Sequence, residues 1–549
     1  MPRGRFEALP PAWQRPNRAI HRQAGERATT SVTRGQEHGE DGGAAEAGQQ
    51  PEWVDQAVQE ARAAMRGVGE RWQELRQIPV LARLGQMLPA LISAVVQGGI
   101  AEGEALSSGD ARAVSQAAQR AVQPVGRAFV QEAWRLQGHA DVPPPEQRPC
   151  CAHCGRRMKL VGACRLRHLQ GRFGPYALGR PYYTCEHCGG GCAPADGAWG
   201  LGAGLLDPDL TEVTAGDGVR DSFEEARQSV RRHLQVEVDD NEAQRATEAM
   251  GLVAMRQTEQ RAAAGTCRLG ADPGSDILLL EVDGGRVEAG GEWRETKVAA
   301  AGPLGPDVQV DPDTGRARLC TGPLRYAADI ATAEQFFDRE VRQLAEDAGL
   351  FHPRVRSVVL LSDGGEWIEN RWSSLGLPEC VTVFDILDVR HFEEHVWTAA
   401  RACWGERSSR TKAWATKQID AVRAGGPDPL LAELAHIRPR RPEGREELRK
   451  LKGYIERNAH RLRYPDFVAQ QLPIGSGAIE ASVRTVNNER LKQSGMHWSV
   501  LGARAVLALR AIALSPPSSW TDFWATRPHL ARPTHVHLNG RKWNKKEAA

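Results

Sequence analysis

The chain has no apolar run that reads as a membrane span. Its most apolar stretch, Leu84 to Ile100, is interrupted by Gln86, Pro89 and Gln97, a pattern that suits a packed helix better. The positive N-terminal residues are followed by no apolar run, so they are not expected to be a secretory signal. A cytoplasmic chain with no membrane partner is therefore expected. There is no excess charge of one sign: 71 Lys and Arg face 69 Asp and Glu, leaving a formal net charge of +2. Bulk charge thus announces no polyanionic partner, and any such contact must come from local clusters of Lys and Arg. No internal repeat is visible.

What is present points to several folded units, since 549 residues exceed what one compact core holds. Residues 1–50 read as a disordered arm, locally basic through Arg3, Arg5, Arg15, Arg18, Arg22 and Arg27. Apolar residues at three and four spacing make 51–142 a helical region. Residues 145–200 hold most of the cysteines among glycines and short β-type runs, and 201–270 return to helical patterning. An α/β segment spans 271–392, with strands expected at Ile277 to Val282, Val358 to Leu361 and Val381 to Phe384 and a helix over Ala333 to Ala348. Helices are then expected through 393–470 and 471–525, before a basic tail at 526–549.

Two CxxC pairs, Cys151 with Cys154 and Cys185 with Cys188, lie about thirty residues apart, and a glycine follows each. In a cytoplasmic chain such pairs are metal ligands rather than disulfides. Four thiolates fill the shell of a structural Zn²⁺, so this segment reads as a zinc ribbon. Cys150, Cys164 and Cys192 leave the assignment open, since any of them can replace a neighbour. After the ribbon, Ser222 with Glu225 resembles a capping box opening a helix, a turn near Val236 and a second helix. A helix-turn-helix DNA reader fits that spacing, and so does a plain two-helix packing module.

Three carboxylates carry the strongest chemistry. Asp283 and Asp363 each follow a buried apolar run and precede Gly-Gly, so two strands of one sheet can bring them to one edge. Glu480 falls in the first turn of a helix opened by Gly475-Ser476-Gly477, with Ser476 as the natural cap. Taken singly, Asp283 fits an Asp-Gly hairpin turn and Glu480 an ordinary first-turn acid facing the helix dipole. Taken together, acids from two strands and a helix suit a two-Mg²⁺ phosphodiester site, and this β-β-α placement suggests an RNase H-like sheet.

At these residues the chain resembles the ISKra-type insertion-sequence DDE transposases, relatives of the Mutator-like transposases. The resemblance covers roughly residues 145–525. Its elements are Val282-Asp283-Gly284-Gly285 with Gly291-Glu292-Trp293-Arg294-Glu295-Thr296-Lys297, then Ser362-Asp363-Gly364-Gly365-Glu366-Trp367. Leu387-Asp388-Val389-Arg390-His391 follows, then Ile474 through Glu480, and finally Arg490-Leu491-Lys492 leading to Trp498. Arg390 departs from the pattern, which has an aromatic residue before His391.

The resemblance implies an α/β chain whose RNase H-like catalytic domain is split by a helical insertion and preceded by a zinc ribbon and helical units. It implies Asp283, Asp363 and Glu480 as ligands of Mg²⁺ or Mn²⁺, with Asp388 and His391 as the signature after the second acid. An alternative alignment makes Asp388 that second acid. His391 and His395, one turn apart, also fit a packed hydrogen-bonded pair. The activity implied is cutting and joining of double-stranded DNA at element ends, by a homo-oligomer at the nucleoid. DNA contacts are expected at Arg438, Arg440, Arg441, Lys450 and Lys452 in the insertion, and at Arg490 and Lys492 near the C-terminus. An RNase H-like nuclease or resolvase, or an inactive zinc-ribbon DNA-binding protein, are the competing readings.

Overall fold

The computed structural model describes residues 110–526 apart from 137–140, 203, 266 and 312–314, together with Val536–His537 and scattered positions between 59 and 102. The basic arm at 1–50, most of the helical region at 51–142 and most of the tail at 526–549 lie outside the described residues. Among the described residues no helix is long and apolar enough to cross a membrane.

The first described helix is α1, Ala111–Leu136. It is followed by a long hairpin, β1 (Lys159–Gly171) and β2 (Gly174–Thr184), and a short strand β3 (Gly190–Cys192). Val536–His537 pairs with β3 as a fourth strand. Three helices come next: α2 (Pro208–Gly218), α3 (Phe223–Leu234) and α4 (Asp240–Ala264). Ser222 caps α3 in a capping box with Glu225, as their spacing predicts. The second helix of that pair is committed on one side to packing. A Cβ at Gly251 of α4 would fall 2.0 Å from the Ala505 carbonyl oxygen, so glycine lets two helix backbones meet.

The central sheet holds β4 (Ile277–Ala289), β5 (Glu292–Val310), β6 (Ala317–Thr321), β7 (Arg325–Asp329), β8 (Ser357–Ser362) and β9 (Thr382–Leu387). Its order is β6-β5-β4-β8-β9, with β7 also on β5. β4 and β5 pair antiparallel, whereas β4, β8 and β9 run parallel; β8 and the first half of β4 are buried, which is why they read as continuous apolar runs. Side-chain alternation splits the core by face. Leu278, Leu280, Val282, Val358 and Leu360 pack with Phe336, Phe337 and Val341, from a helix (α5) built of Ala333–Phe336, a π turn at Phe337–Val341 and Arg342–Asp347. On the opposite face Leu279, Val359 and Leu361 pack with a helical block. That block is α6 (Val389–Trp404), α7 (Ser409–Gly425), α8 (Asp428–His436), α9 (Pro442–Arg457) and α10 (Tyr464–Ala469). The chain returns through α11, Gly477–Ser482, which continues as a π turn at Val483–Asn488, and ends its packed part with α12 (Val500–Leu514) and α13 (Pro517–Thr526).

Candidate active site and metal centres

The register of the parallel strands brings the first two acids together. The last β4–β8 pair is Glu281 with Leu361, so two residues further on each strand (281 + 2 and 361 + 2) stand Asp283 and Asp363. The last β8–β9 pair is Ser362 with Leu387, so Asp388 follows beside Asp363. Asp283 does not end its strand, contrary to expectation. β4 runs on through Gly284-Gly285 to Ala289 and turns at Gly290-Gly291, so Asp283 sits where β4 loses its parallel neighbour but keeps β5.

Each glycine after these acids has its own steric reason. A Cβ on Gly285 would press on Thr296 Oγ1 at 2.7 Å and Asn487 Nδ2 at 2.8 Å, so glycine lets the π turn after Glu480 lie on β4. Gly364 has φ +82, and a Cβ there would meet Leu387 Cδ1 at 2.6 Å. The Asp363 carboxylate is held by the Gly365 N–H at 2.9 Å, and that of Asp283 by the Gly284 N–H at 2.6 Å.

Glu480 reaches the same edge from α11. Ser476 occupies the N-cap position but does not cap, which corrects the expectation from its spacing. Its hydroxyl donates instead to Glu480 Oε1 at 3.2 Å, and its backbone N–H donates to Asp388 Oδ1 at 3.0 Å. Asp388 is buried and caps α6, accepting the N–H groups of Arg390 at 3.3 Å and His391 at 3.0 Å. Both of its oxygens are therefore occupied by backbone amides.

Electrostatics record the convergence. Burial lifts the Asp283 carboxyl to about 6 against the pull of the Gly284 N–H, and the negative charges of Asp363 and Glu480 add to the rise while His391 opposes it. Glu281, read in the sequence only as part of an apolar run, belongs to the same edge. It is 1% exposed, accepts the Ile479 N–H at the start of α11, and is pushed to about 8 by burial and by Asp388. The charges of Asp363 and Glu480 are thus felt at Asp283, and oxygen donors of this kind are the type that hard divalent cations take.

His391 and His395 form a T-shaped pair at 5.0 Å, and His395 stacks on Tyr454 at 4.1 Å, with burial lowering its pKa. Tyr454 is on α9, and its hydroxyl would stand 3.3 Å from a Cβ on Gly364, so the helical block packs against the turn after Asp363. Arg438, Arg440, Arg441, Lys450, Lys452 and Lys492 are exposed. Lys450 pairs with Glu447 of its own helix at 2.7 Å. Arg490, expected among the DNA-contacting side chains, is instead fully buried. Its guanidinium lies between the rings of Phe223 and Trp498, 4.7 and 4.9 Å from their centroids, and Nε donates to the Gly218 carbonyl at 2.9 Å. Arg490 ties α2 and α3 to the C-terminal segment and, being fully buried, presents no surface to a phosphate.

The cysteine cluster is built from two matched turns. Gly155 N–H donates to the Cys151 carbonyl and Gly189 N–H to that of Cys185, both at 2.8 Å, with φ +71 and +72 at the glycines. The β1–β2 register, Lys159 opposite Thr184, brings the two turns together. Sulfur atoms lie 3.5 Å apart for Cys151 and Cys188, 3.4 Å for Cys154 and Cys185, and 3.9 Å for Cys154 and Cys188. Sulfurs tetrahedral about Zn²⁺ stand roughly 3.8 Å apart, so the four cysteines fit and can hold a metal ion. The Cys188 N–H helps to lower the Cys185 thiol to about 6. Cys192 turns to Met158 at 3.4 Å, and Cys150 and Cys164 stand outside the cluster, which resolves the choice the spacing left open.

No protein-family model matches the chain, and no curated protein sequence does. Among solved structures, a chain of the Drosophila P element transposase strand transfer complex is similar at 12% identity and a TM-score of 0.22, over 55% of this chain and 91% of that one.

Proposed function

We propose that the chain is a DDE transposase of a prokaryotic insertion sequence, cutting DNA at element ends and joining the freed 3′-hydroxyl to target DNA. The observation that carries this is the placement of Asp283 and Asp363 two residues beyond the last paired residues of adjacent parallel strands, with Glu480 turned to the same edge by a helix that returns after a helical block. A sheet whose antiparallel β4–β5 pair is extended by parallel β8 and β9 supports an RNase H-like catalytic domain. Asp283, Asp363 and Glu480 would hold Mg²⁺ or Mn²⁺, whose charge when bound activates an attacking oxygen and stabilises a leaving one. The chain's own part is positioning: Gly284 and Gly365 amides orient the two aspartates, and the Ser476 hydroxyl orients Glu480. Cys151, Cys154, Cys185 and Cys188 would hold a structural Zn²⁺. The exposed Arg438, Arg440, Arg441, Lys450, Lys452 and Lys492 are the phosphate contacts of this reading.

The test is an in vitro reaction of the purified full chain with Mg²⁺ or Mn²⁺ and labelled duplex DNA from the flanks of its own coding region, run beside Asp363→Ala. Metal-dependent nicks and joined products, lost in a variant that still binds DNA, are expected. Cutting without joining would indicate a nuclease or resolvase, and binding without cutting an inactive DNA-binding protein. A variant that still cuts would move the second acid to Asp388.

A further inference from the structure

Beside the carboxylate edge lies a cavity of about 550 Å³ to which the reading above assigns no role. Glu295, Lys297, Thr332, Gln335 and Trp367 line it. Lys297 stands opposite Gly284 in the β4–β5 register, one step from Asp283 opposite Val298. A Cβ on Gly365 would fall 3.1 Å from both Asp363 Oδ1 and Trp367 Nε1, and one on Gly284 would fall 3.4 Å from Glu295 Oε1. Gly284, next to Asp283, and Gly365, two residues past Asp363, thus stand directly against the lining residues Glu295 and Trp367.

The lining has a definite chemistry. Lys297 is 5% exposed, and a lysine that deep requires a reason. Its ammonium sits 4.8 Å from the centroid of the Trp367 ring and 3.1 Å from Glu295 Oε2. An ammonium carries three donors, and Glu295 takes one. An indole wall beside a buried cation, next to a site for a phosphodiester, matches one nucleotide: a π-face for the base and a point charge for its phosphate.

Resting on the transposase reading, we propose that this cavity is a nucleotide subsite that receives the nucleotide adjoining the cut, with its base against Trp367 and its phosphate on Lys297. A paired and stacked base cannot present its face to a side chain, so this nucleotide must leave the duplex. Unstacking costs least where the base is mismatched, and that cost gives the test.

The experiment compares the full chain with Trp367→Ala, Trp367→Phe and Lys297→Gln in Mn²⁺. Two labelled duplexes are used: one from the flanks, and the same duplex with a mismatch next to the mapped cut. Trp367→Ala should slow cutting of the paired duplex by about tenfold, the scale of one base–aromatic stack. Its deficit should shrink on the mismatched duplex, where unpairing is already achieved, and Trp367→Phe should restore cutting on both. If Trp367→Ala does not fold, Lys297→Gln carries the same comparison. A wild type that cuts while every variant matches it, or loses equally on the two duplexes, overturns the subsite alone. A wild type that cuts neither duplex overturns the transposase reading, and the subsite with it.

Discussion

The Asp388 carboxylate accepts the backbone N–H of Ser476, 88 positions further along the chain, at 3.0 Å. That one bond joins the end of β9 to the turn that presents Glu480, and the Val389 N–H reinforces it by donating to the Ile474 carbonyl at 2.9 Å. The whole helical block leaves and returns at this point. Its two ends are therefore pinned to each other at the acidic edge, whatever its helices do elsewhere.

Asp388→Ala should remove a helix cap and release the Ser476 turn together, costing about 1–2 kcal/mol of stability. Asn keeps one acceptor oxygen, enough for the Arg390 and Ser476 amides, but turns an NH₂ toward the His391 N–H, so Asp388→Asn should recover only part of that loss. Chemical denaturation measures both. If Asp388→Asn keeps stability but loses metal-dependent cutting, the carboxylate acts as a metal ligand and not as a cap.

Arg461 makes the second tie between helical block and sheet. Its guanidinium, 1% exposed, donates to Asp385 Oδ1 at 2.8 Å, Ser362 Oγ at 2.7 Å and Asn458 Oδ1 at 3.0 Å, and pairs with Glu369. Ser362 is the residue before Asp363. Arg461→Met should cost about 3 kcal/mol, the lower end for breaking a buried pair, because Asp385 and Glu369 are 25% and 28% exposed. Arg461→Lys should recover only part of this, since one ammonium cannot span the fork. Equal stability of wild type and Arg461→Met by denaturation would remove Arg461 from this role.

The parts of this architecture that could be read from the sequence are those with local causes. Buried parallel strands show as apolar runs, the Cys-x-x-Cys-Gly turns show as themselves, and Ser222 with Glu225 marks a helix start. The misreadings involve partners far along the chain. Gly284-Gly285 looks like a turn until Asn487 and Val483 are seen to need that space. Arg490 looks like a surface cation until Phe223, 267 residues earlier, closes over its guanidinium. Glu281 passes for a stray charge in an apolar run because its partner, the Ile479 N–H, comes from another element.

Zinc content offers a separate check on the cysteine cluster. The purified chain should carry one zinc per molecule by elemental analysis, and Cys185→Ser or Cys154→Ser should lose it. Strong chelation should unfold the β1–β2 hairpin first, because bound metal supplies much of the folding energy of so small a unit. Cys192→Ser should retain zinc, since Cys192 stands outside the cluster beside Met158. Loss of zinc from Cys192→Ser would reopen the ligand assignment.

Glu340 should make stability fall with pH. It lies in the π turn of α5, its side chain 15% exposed, with one carboxylate oxygen buried and without a hydrogen-bond partner. Burial first, then the negative Asp329 on β7, raise it to about 8, against Arg339 on its own helix and Arg504 on α12. Between the ordinary value of 4.5 and about 8, the folded chain keeps this proton and the unfolded chain does not. Unfolding then releases a proton, so stability is full below 4.5 and is lost as pH rises toward 8. At roughly 1.4 kcal/mol per unit the loss is on the order of 4 kcal/mol. Glu340→Gln carries no such proton, so it should gain on wild type steadily across that window in denaturation series at pH 5, 6, 7 and 8. A constant difference between the two proteins would mean that Glu340 is ionised throughout, held by Arg339 and Arg504.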